Sequence, residues 1–362
     1  MKVVTVVGAR PQFVKAATVS RAFRACAPEA REVIVHTGQH FDRNMSAVFF
    51  DEMQIPRPQY QLELGGLGHG AMTGRMMESI EGILQEEKPD WVLVYGDTNS
   101  TMAGALSAVK LHIPVAHVES GLRSFNRAMP EEINRVVTDH VANLLFAPTD
   151  AAVRNLAMEG IAGKKVVRCG DVMFDASLFY SQRADGQALK RLGLRSGSYF
   201  LATIHRAENV DDHDKLSIIV RALMRCAVNF PVVMPIHPRT RKALESRGLM
   251  SLLDPARFFL VDPVGYLEMV QLEKDALVVL TDSGGVQKEA YFFGVPCVTV
   301  RGETEWVELV ECGANRLAPP TSEDSVVQAA LAAAVGPRNF PVGLYGDGHS
   351  AEVIVRTLAC AA

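Results

Sequence analysis

A chain of 362 residues is longer than one ordinary core supports, so two domains are expected. Its 48% apolar and 22% charged residues are those of a soluble globular protein, and a net charge of −4 at pH 7 excludes a general nucleic-acid binder while leaving room for a local basic pocket. No apolar run approaches the roughly 18 residues that a membrane span needs.

The chain opens on an apolar run at 2–7, broken only by Thr5, the pattern of a strand buried on both faces of a parallel sheet. Gly8, Arg10 and Pro11 stop that run too early for a secretory signal. The six cysteines form no Cys-x-x-Cys pair and read as free thiols, so a reducing, cytoplasmic location is expected. After Pro11 comes a helix carrying Lys15. Arg10 and Lys15 at the positive end of a helix cost stability unless an anion sits there; the bland alternative is a pair of solvated charges. A strand at 33–36 ends in Thr37, Gly38, Gln39 and His40, and a helix is expected over 44–50. The glycine-dense stretch 65–70 follows no clear strand and reads as a flexible loop before a helix at 71–87. A strand at 91–95 stops at Gly96, Asp97 and Thr98, and a small-residue helix runs on to Leu111. Pro114 leads into a strand at 115–118, which delivers His117 and Glu119. Pro130, Glu131 and Glu132 open a helix, with proline at its first position and acids in its first turn. Short strands follow at 144–147 and 166–167, and the polar stretch 181–198 contains a boundary region.

The same alternation then restarts. A strand at 199–204 ends in His205 and Arg206, one at 232–236 in His237 and Arg239, and one at 258–261 in a loop from Asp262 to Tyr266. The apolar run 276–280 leads through Asp282, Ser283, Gly284 and Gly285 into a helix carrying Gln287, Lys288 and Glu289. Asp282 repeats the position of Asp97: each ends an apolar strand and precedes a helix that gives way to an apolar-Pro-apolar strand start. The final segment is a helix with no strand after it. The expected fold is α/β, with two Rossmann-like, doubly wound domains facing a cleft. The first spans 1–170, with a C-terminal helix at 348–362 packing back on it, and the second spans 171–347.

In such sheets ligands bind beyond the carboxyl ends of the strands, where nearly every ionisable group above falls. Arg10, Lys15, His205, Arg206 and Arg239 suit a diphosphate, with the Ser283, Gly284 and Gly285 backbone supplying uncharged donors. Asp97, Glu119 and Glu131 have no such use and suit general acid–base work or hydroxyl binding. The histidines lie on separate strands with no metal-ligand spacing, so no metal site is expected. There is no nucleophile elbow, Walker-type loop or dinucleotide fingerprint.

These residues, taken in series, resemble the UDP-N-acetylglucosamine 2-epimerase family. The resemblance is carried by Gly-Ala-Arg-Pro-Gln-Phe-Val-Lys at 8–15, Gly96-Asp97-Thr98, His117-x-Glu119-Ser-Gly-Leu-Arg123, Pro130-Glu131-x-x-Asn134-Arg135, His205-Arg206-x-Glu208-Asn209 and Asp282-Ser283-Gly284-Gly285-x-Gln287-x-Glu289. It implies a glycosyltransferase-B-type fold, a UDP-sugar substrate, a homodimer, and inversion at C2 of a UDP-2-acetamido sugar with no cofactor. The reaction implied is anti elimination of UDP to a glycal and re-addition of UDP to the flipped face. Carried over by motif, Asp97, Glu119, Glu131 and His205 are tied to catalysis. Arg10, Lys15, Arg206, His237, Ser283, Gly284 and Gly285 surround UDP, Glu289 takes the ribose hydroxyls, and the loop ending at Tyr266 takes the uracil.

Two departures refine the resemblance. Residues 10–13 read Arg-Pro-Gln-Phe, where many members acting on UDP-N-acetylglucosamine have Arg-Pro-Glu and smaller residues. Residues 37–46 look more like the branch acting on 2,3-diacetamido-uronic acid sugars for surface polysaccharides such as lipopolysaccharide. Some bacterial members bind a second UDP-N-acetylglucosamine as activator through a Gln near Asp42 and an Arg near Leu67. Neither is present, so such activation is not expected. The competing readings are a hydrolysing epimerase releasing UDP and free N-acetylmannosamine, a retaining glycosyltransferase of the same fold, and a non-catalytic nucleotide-sugar sensor. In a glycosyltransferase the third carboxylate has no evident role.

Overall fold

A computed structural model describes residues 1–39 and 57–361, apart from the side chain of Arg10. The helix expected over 44–50, and with it His40 and Asp42, lies outside the described residues. The chain divides into two compact units, one of Met1–Ala176 with Gly343–Ala362, the other of Ser177–Val342.

The first unit runs β1 (Lys2–Val7), α1 (Arg10–Cys26), β2 (Arg31–His36), β3 (Tyr60–Gln61), α2 (His69–Glu87), β4 (Trp91–Tyr95), α3 (Asn99–Lys110), β5 (Val115–Val118), α4 (Pro130–Val141), β6 (Leu144–Ala147), α5 (Asp150–Met158), β7 (Val166–Arg168) and α6 (Val172–Ser181). The division between units falls inside α6, a few residues beyond the boundary expected at 170. All strands pair in parallel, in the order β3-β2-β1-β4-β5-β6-β7. Val3, Val4, Val6, Leu93 and Val94 are wholly buried, which is why these strands read as unbroken apolar runs. Helix α3 lies close on the sheet because it is built of small residues. A β-carbon at Gly104 would stand 3.1 Å from Val94 and 3.2 Å from Val6. Helix α2 buries Met72, Met76, Ile80 and Leu84, one residue per turn, and begins at His69, two residues before its expected start. Leu67, just ahead of it, is half-buried against the core.

The second unit runs α7 (Gln187–Leu192), β8 (Phe200–Thr203), α8 (Ala207–Val210), α9 (His213–Ala227), β9 (Val232–Pro235), α10 (Pro238–Ser246), β10 (Phe258–Val261), α11 (Tyr266–Lys274), β11 (Val278–Thr281), α12 (Gly284–Phe292), β12 (Cys297–Thr299), α13 (Val307–Glu311), β13 (Asn315–Leu317) and α14 (Glu323–Val335). Its six parallel strands take the order β10-β9-β8-β11-β12-β13, the same winding as the first unit. The chain then returns to the first unit, where α15 (Ser350–Ala361) packs on α1. Among the described residues no helix is long and apolar enough to cross a membrane.

In each unit the strand order reverses once, between β1 and β4 and between β8 and β11. Connections on the two sides of a reversal run to opposite faces of a sheet, so the loops leaving its central strands splay apart. The sequence puts Gly8 and Gly96 at one reversal, His205 and Ser283 at the other.

Candidate active site

In the first unit the reversal is held by Gln12, buried in the first turn of α1. Its Oε1 accepts from the backbone N–H of Gly8 (2.8 Å) and Ala9 (3.0 Å). Its Nε2 donates to the Tyr95 carbonyl (2.7 Å) and to the hydroxyls of Thr98 and Thr101 (2.9 Å each). One amide thus clasps the ends of β1 and β4. Gly96 has φ +62°, and Lys15 Nζ would stand 3.5 Å from a β-carbon there.

His117, wholly buried on β5, places Nε2 2.7 Å from the Gly96 carbonyl and Nδ1 2.7 Å from Asp139. Both ring nitrogens therefore face oxygen acceptors. Asp139 also accepts from Arg123 (2.7 Å) and from the Gly121 N–H (3.0 Å), and Arg123 pairs with Glu159. Burial raises the Asp139 pKa, but the charges of His117 and Arg123 outweigh it and hold the group below its ordinary value. His117 is therefore a strut of this network. Just beyond it Glu119 sits at φ +70°, in the left-handed region that a non-glycine residue occupies only under constraint, with its carboxylate on Lys15 Nζ.

Asp97 ends β4 with its carboxylate on the Arg135 guanidinium, whose other arm reaches Glu132 at 3.0 Å. Asn134 donates to the Asp97 carbonyl (2.9 Å) and to Asn99 (3.2 Å), and Asn99 meets His69 Nδ1 at 3.1 Å. Glu131, exposed at the start of α4, faces the same space. Lys15, Asp97, Glu131, Asn134, Gln39 and His69 all line one pocket of about 220 Å³. Pockets for drug-sized molecules run to about 300–1,000 Å³, so this one suits a single sugar ring. The structure thus gathers three of the sequence-predicted residues, Lys15, Asp97 and Glu131, with Glu119 against Lys15. Arg10 begins α1, and its side chain lies outside the described residues.

In the second unit Asp282 does for β8 and β11 what Gln12 does for β1 and β4. Wholly buried, it accepts from the N–H groups of His205 (3.0 Å) and Arg206 (3.0 Å) and from Asn209 Nδ2 (3.1 Å). Thr203 and Thr281, opposite each other in the register, join their hydroxyls at 2.6 Å. Ser283 caps α12 without a side-chain hydrogen bond, leaving the first N–H groups of that helix for another acceptor. The His205 ring lies 5.8 Å from that of His237. Burial, then His237 and Arg206, lower the His205 pKa against the pull of Asp282. Arg239, expected at the diphosphate, is paired with Asp211 on the surface. Asp282→Asn turns an amide N–H₂ toward at least one of three donors. It is expected to cost about 1–3 kcal/mol in urea unfolding and to weaken UDP binding in calorimetry.

Farther along, Glu289 accepts from the Tyr266 hydroxyl at 3.2 Å. Tyr266 is buried, edge-on to Tyr180 at 5.4 Å, so its ring is packed inside the unit. Glu273 on α11 is wholly buried, neither carboxyl oxygen has a hydrogen-bond partner among the described residues, and burial followed by Glu289 raises its pKa well above the ordinary 4.5.

The family model for UDP-N-acetylglucosamine 2-epimerase matches residues 24–359. The chain belongs to the UDP-N-acetylglucosamine 2-epimerase family. It is 52% identical, over 99% of both chains, to the UDP-2,3-diacetamido-2,3-dideoxy-D-glucuronate 2-epimerase of Pseudomonas aeruginosa. The solved UDP-N-acetylglucosamine 2-epimerase of Methanocaldococcus jannaschii, in complex with UDP-GlcNAc and UDP, superposes with a TM-score of 0.88 at 43% identity, over 99% of this chain and 100% of that one. The enzyme from Neisseria meningitidis, bound to UDP-GlcNAc, gives 0.88 at 29% identity, over 99% and 100%. Together with the two parallel-sheet units, these likenesses establish the glycosyltransferase-B-type fold.

Within this 2-epimerase chain, Gln12, His69, Asn99 and Asn134 were not among the expected site residues, although all line the pocket. The motif spacing held Gln12 and Asn134 in plain view. What it lacked was any sign that the Gln12 side chain reaches Thr101, 89 residues away.

Proposed function

We propose that the chain is a non-hydrolysing 2-epimerase that inverts C2 of a UDP-2-acetamido sugar, and that its sugar is a 2,3-diacetamido-uronate. The observation that carries the reaction is the pocket lined by Asp97 and Glu131 from two different elements, with the Lys15–Glu119 pair at its edge. A C2 proton with no adjacent carbonyl is barely acidic, so UDP must depart as the proton is lost. One carboxylate takes that proton while the C1–O bond breaks, giving UDP and a glycal. Inversion then needs a proton returned to C2 on the opposite face as UDP re-adds to C1, hence a second proton carrier. The residues suited to the departing diphosphate, Arg206 and the Ser283 and Gly284 backbone, lie in the second unit, with Glu289 for the ribose.

Support for the uronate comes from the 52% identity to the Pseudomonas aeruginosa enzyme and from the Arg-Pro-Gln-Phe stretch. A cytoplasmic homodimer belongs to the same reading. In deuterated water, turnover should place deuterium at C2 with UDP still attached, followed by NMR on UDP-N-acetylglucosamine and on its diacetamido-uronate analogue. UDP accumulating one-for-one with free sugar would establish the hydrolysing reaction instead. Equal or better turnover of UDP-N-acetylglucosamine would sink the uronate assignment.

A further inference from the structure

The first turn of α12 presents its N–H groups at Gly284, yet a β-carbon on Gly284 would stand 2.2 Å from Glu305 Oε1. A carboxylate therefore lies against the helix terminus that the diphosphate is expected to use. The same carboxylate is the meeting point of two arginines: Arg301 reaches its Oε2 at 3.2 Å, and Arg206 stands 3.8 Å from its Oε1. Helix N-terminus, Arg206 and Arg301 make up the donor set of a diphosphate site, and Glu305 fills it with two anionic oxygens.

The segment carrying Glu305 is fixed at its base. Thr304 donates to Gln287 Oε1 at 2.6 Å, Asn315 donates to the same oxygen at 3.0 Å, and Arg301 and Trp306 on either side are buried. Glu305 itself is partly exposed, its side chain 28% accessible, so it leaves the helix terminus by rotating its own side chain while the backbone stays in place. Arg301 keeps a second anchor, Glu208 at 3.0 Å, when that happens.

Building on the proposed function, we propose that Glu305 is an internal stand-in for the diphosphate, and that Arg301 is a further diphosphate-binding cation which Glu305 holds in position. A UDP-sugar enters by exchanging its pyrophosphate for this carboxylate. The exchange keeps two arginines and a helix terminus from facing one another uncompensated, and it sets UDP affinity below what the bare donor set would give. That suits a step in which UDP has to leave and return.

The test is calorimetric titration of the full-length protein with UDP, comparing wild type, Glu305→Gln, Glu305→Ala and the control Glu303→Gln. Glu303 is exposed on the same segment, so its substitution changes the net charge equally without touching the donor set. Both Glu305 variants should bind UDP about 5- to 20-fold more tightly, and the control within about twofold, since each surface ion pair that must be exchanged is worth a small factor. Arg301→Met should weaken UDP binding, and more so in the Glu305→Ala background than in wild type. Unchanged or weaker binding by both folded Glu305 variants, with UDP bound by wild type, overturns the stand-in and leaves the proposed diphosphate site untouched. UDP binding to none of the proteins overturns the diphosphate site itself, and the stand-in with it.

Discussion

Asp97→Asn is expected to lower turnover by about two to four orders of magnitude, the usual contribution of a positioned acid or base. The substitution keeps the shape of the side chain at the end of β4, and Arg135 keeps Glu132 as a partner. The backbone carbonyl that Asn134 anchors is untouched. What disappears is the ability to take or hold a proton in a pocket shared with Glu131 and Lys15. UDP affinity should change by less than threefold, because Arg206, Ser283, Gly284 and Glu289, the proposed diphosphate and ribose contacts, are in the other unit. Turnover followed by NMR, with UDP affinity from calorimetry, separates the two quantities. Turnover within threefold of wild type would remove Asp97 from the chemistry, and a parallel fall in UDP affinity and melting temperature would make its role structural.

The largest stability effect is expected at Asp139. Its carboxylate is wholly buried between His117 and Arg123 and also holds the Gly121 N–H. Asp139→Asn leaves the buried Arg123 guanidinium facing an amide, and breaking a buried pair in this way costs about 3–5 kcal/mol. The pH dependence has a definite sign. A carboxylate whose folded pKa is depressed contributes stability that is fully present above its unfolded value and is lost as pH falls through the folded one. For Asp139 the window therefore lies below its ordinary 3.8, and wild type should lose stability there more steeply than the variant. Urea unfolding at pH 7 and at successively lower pH checks both parts. Activity should fall as well, since this network braces the left-handed turn at Glu119.

The alternation of strand and helix was readable because a strand buried on both faces must be an apolar run, and 2–7, 91–95 and 276–280 are such runs. The edges were not. Tyr60–Gln61 and Asn315–Leu317 are two- and three-residue strands with polar members, too short to carry a period, and they join the sheets only through their neighbours. Residues at strand ends were found by position, yet position does not distinguish chemistry from support. Asp97 and Asp282 occupy equivalent places; one opens onto a pocket with its side chain 31% accessible, and the other is sealed by three hydrogen-bond donors. Tyr266 and Glu289 were assigned to uracil and ribose, and the bond between them is visible only in three dimensions. The Glu305 carboxylate, an acid within the proposed diphosphate donor set, is an arrangement that sorting residues by charge would exclude.

The Gln12 clasp has a bearing on how this site tolerates its own chemistry. An amide neither gains nor loses a proton over any pH at which a protein is folded, and Gln12 uses both of its ends, accepting at one and donating at the other. The distance between the ends of β1 and β4 is thus set by a group that does not titrate. A glutamate there would change its bond to the Tyr95 carbonyl with every change of charge, and the walls of the pocket would shift with pH. With glutamine, the neighbouring carboxylates can change charge while the frame that spaces them stays mute.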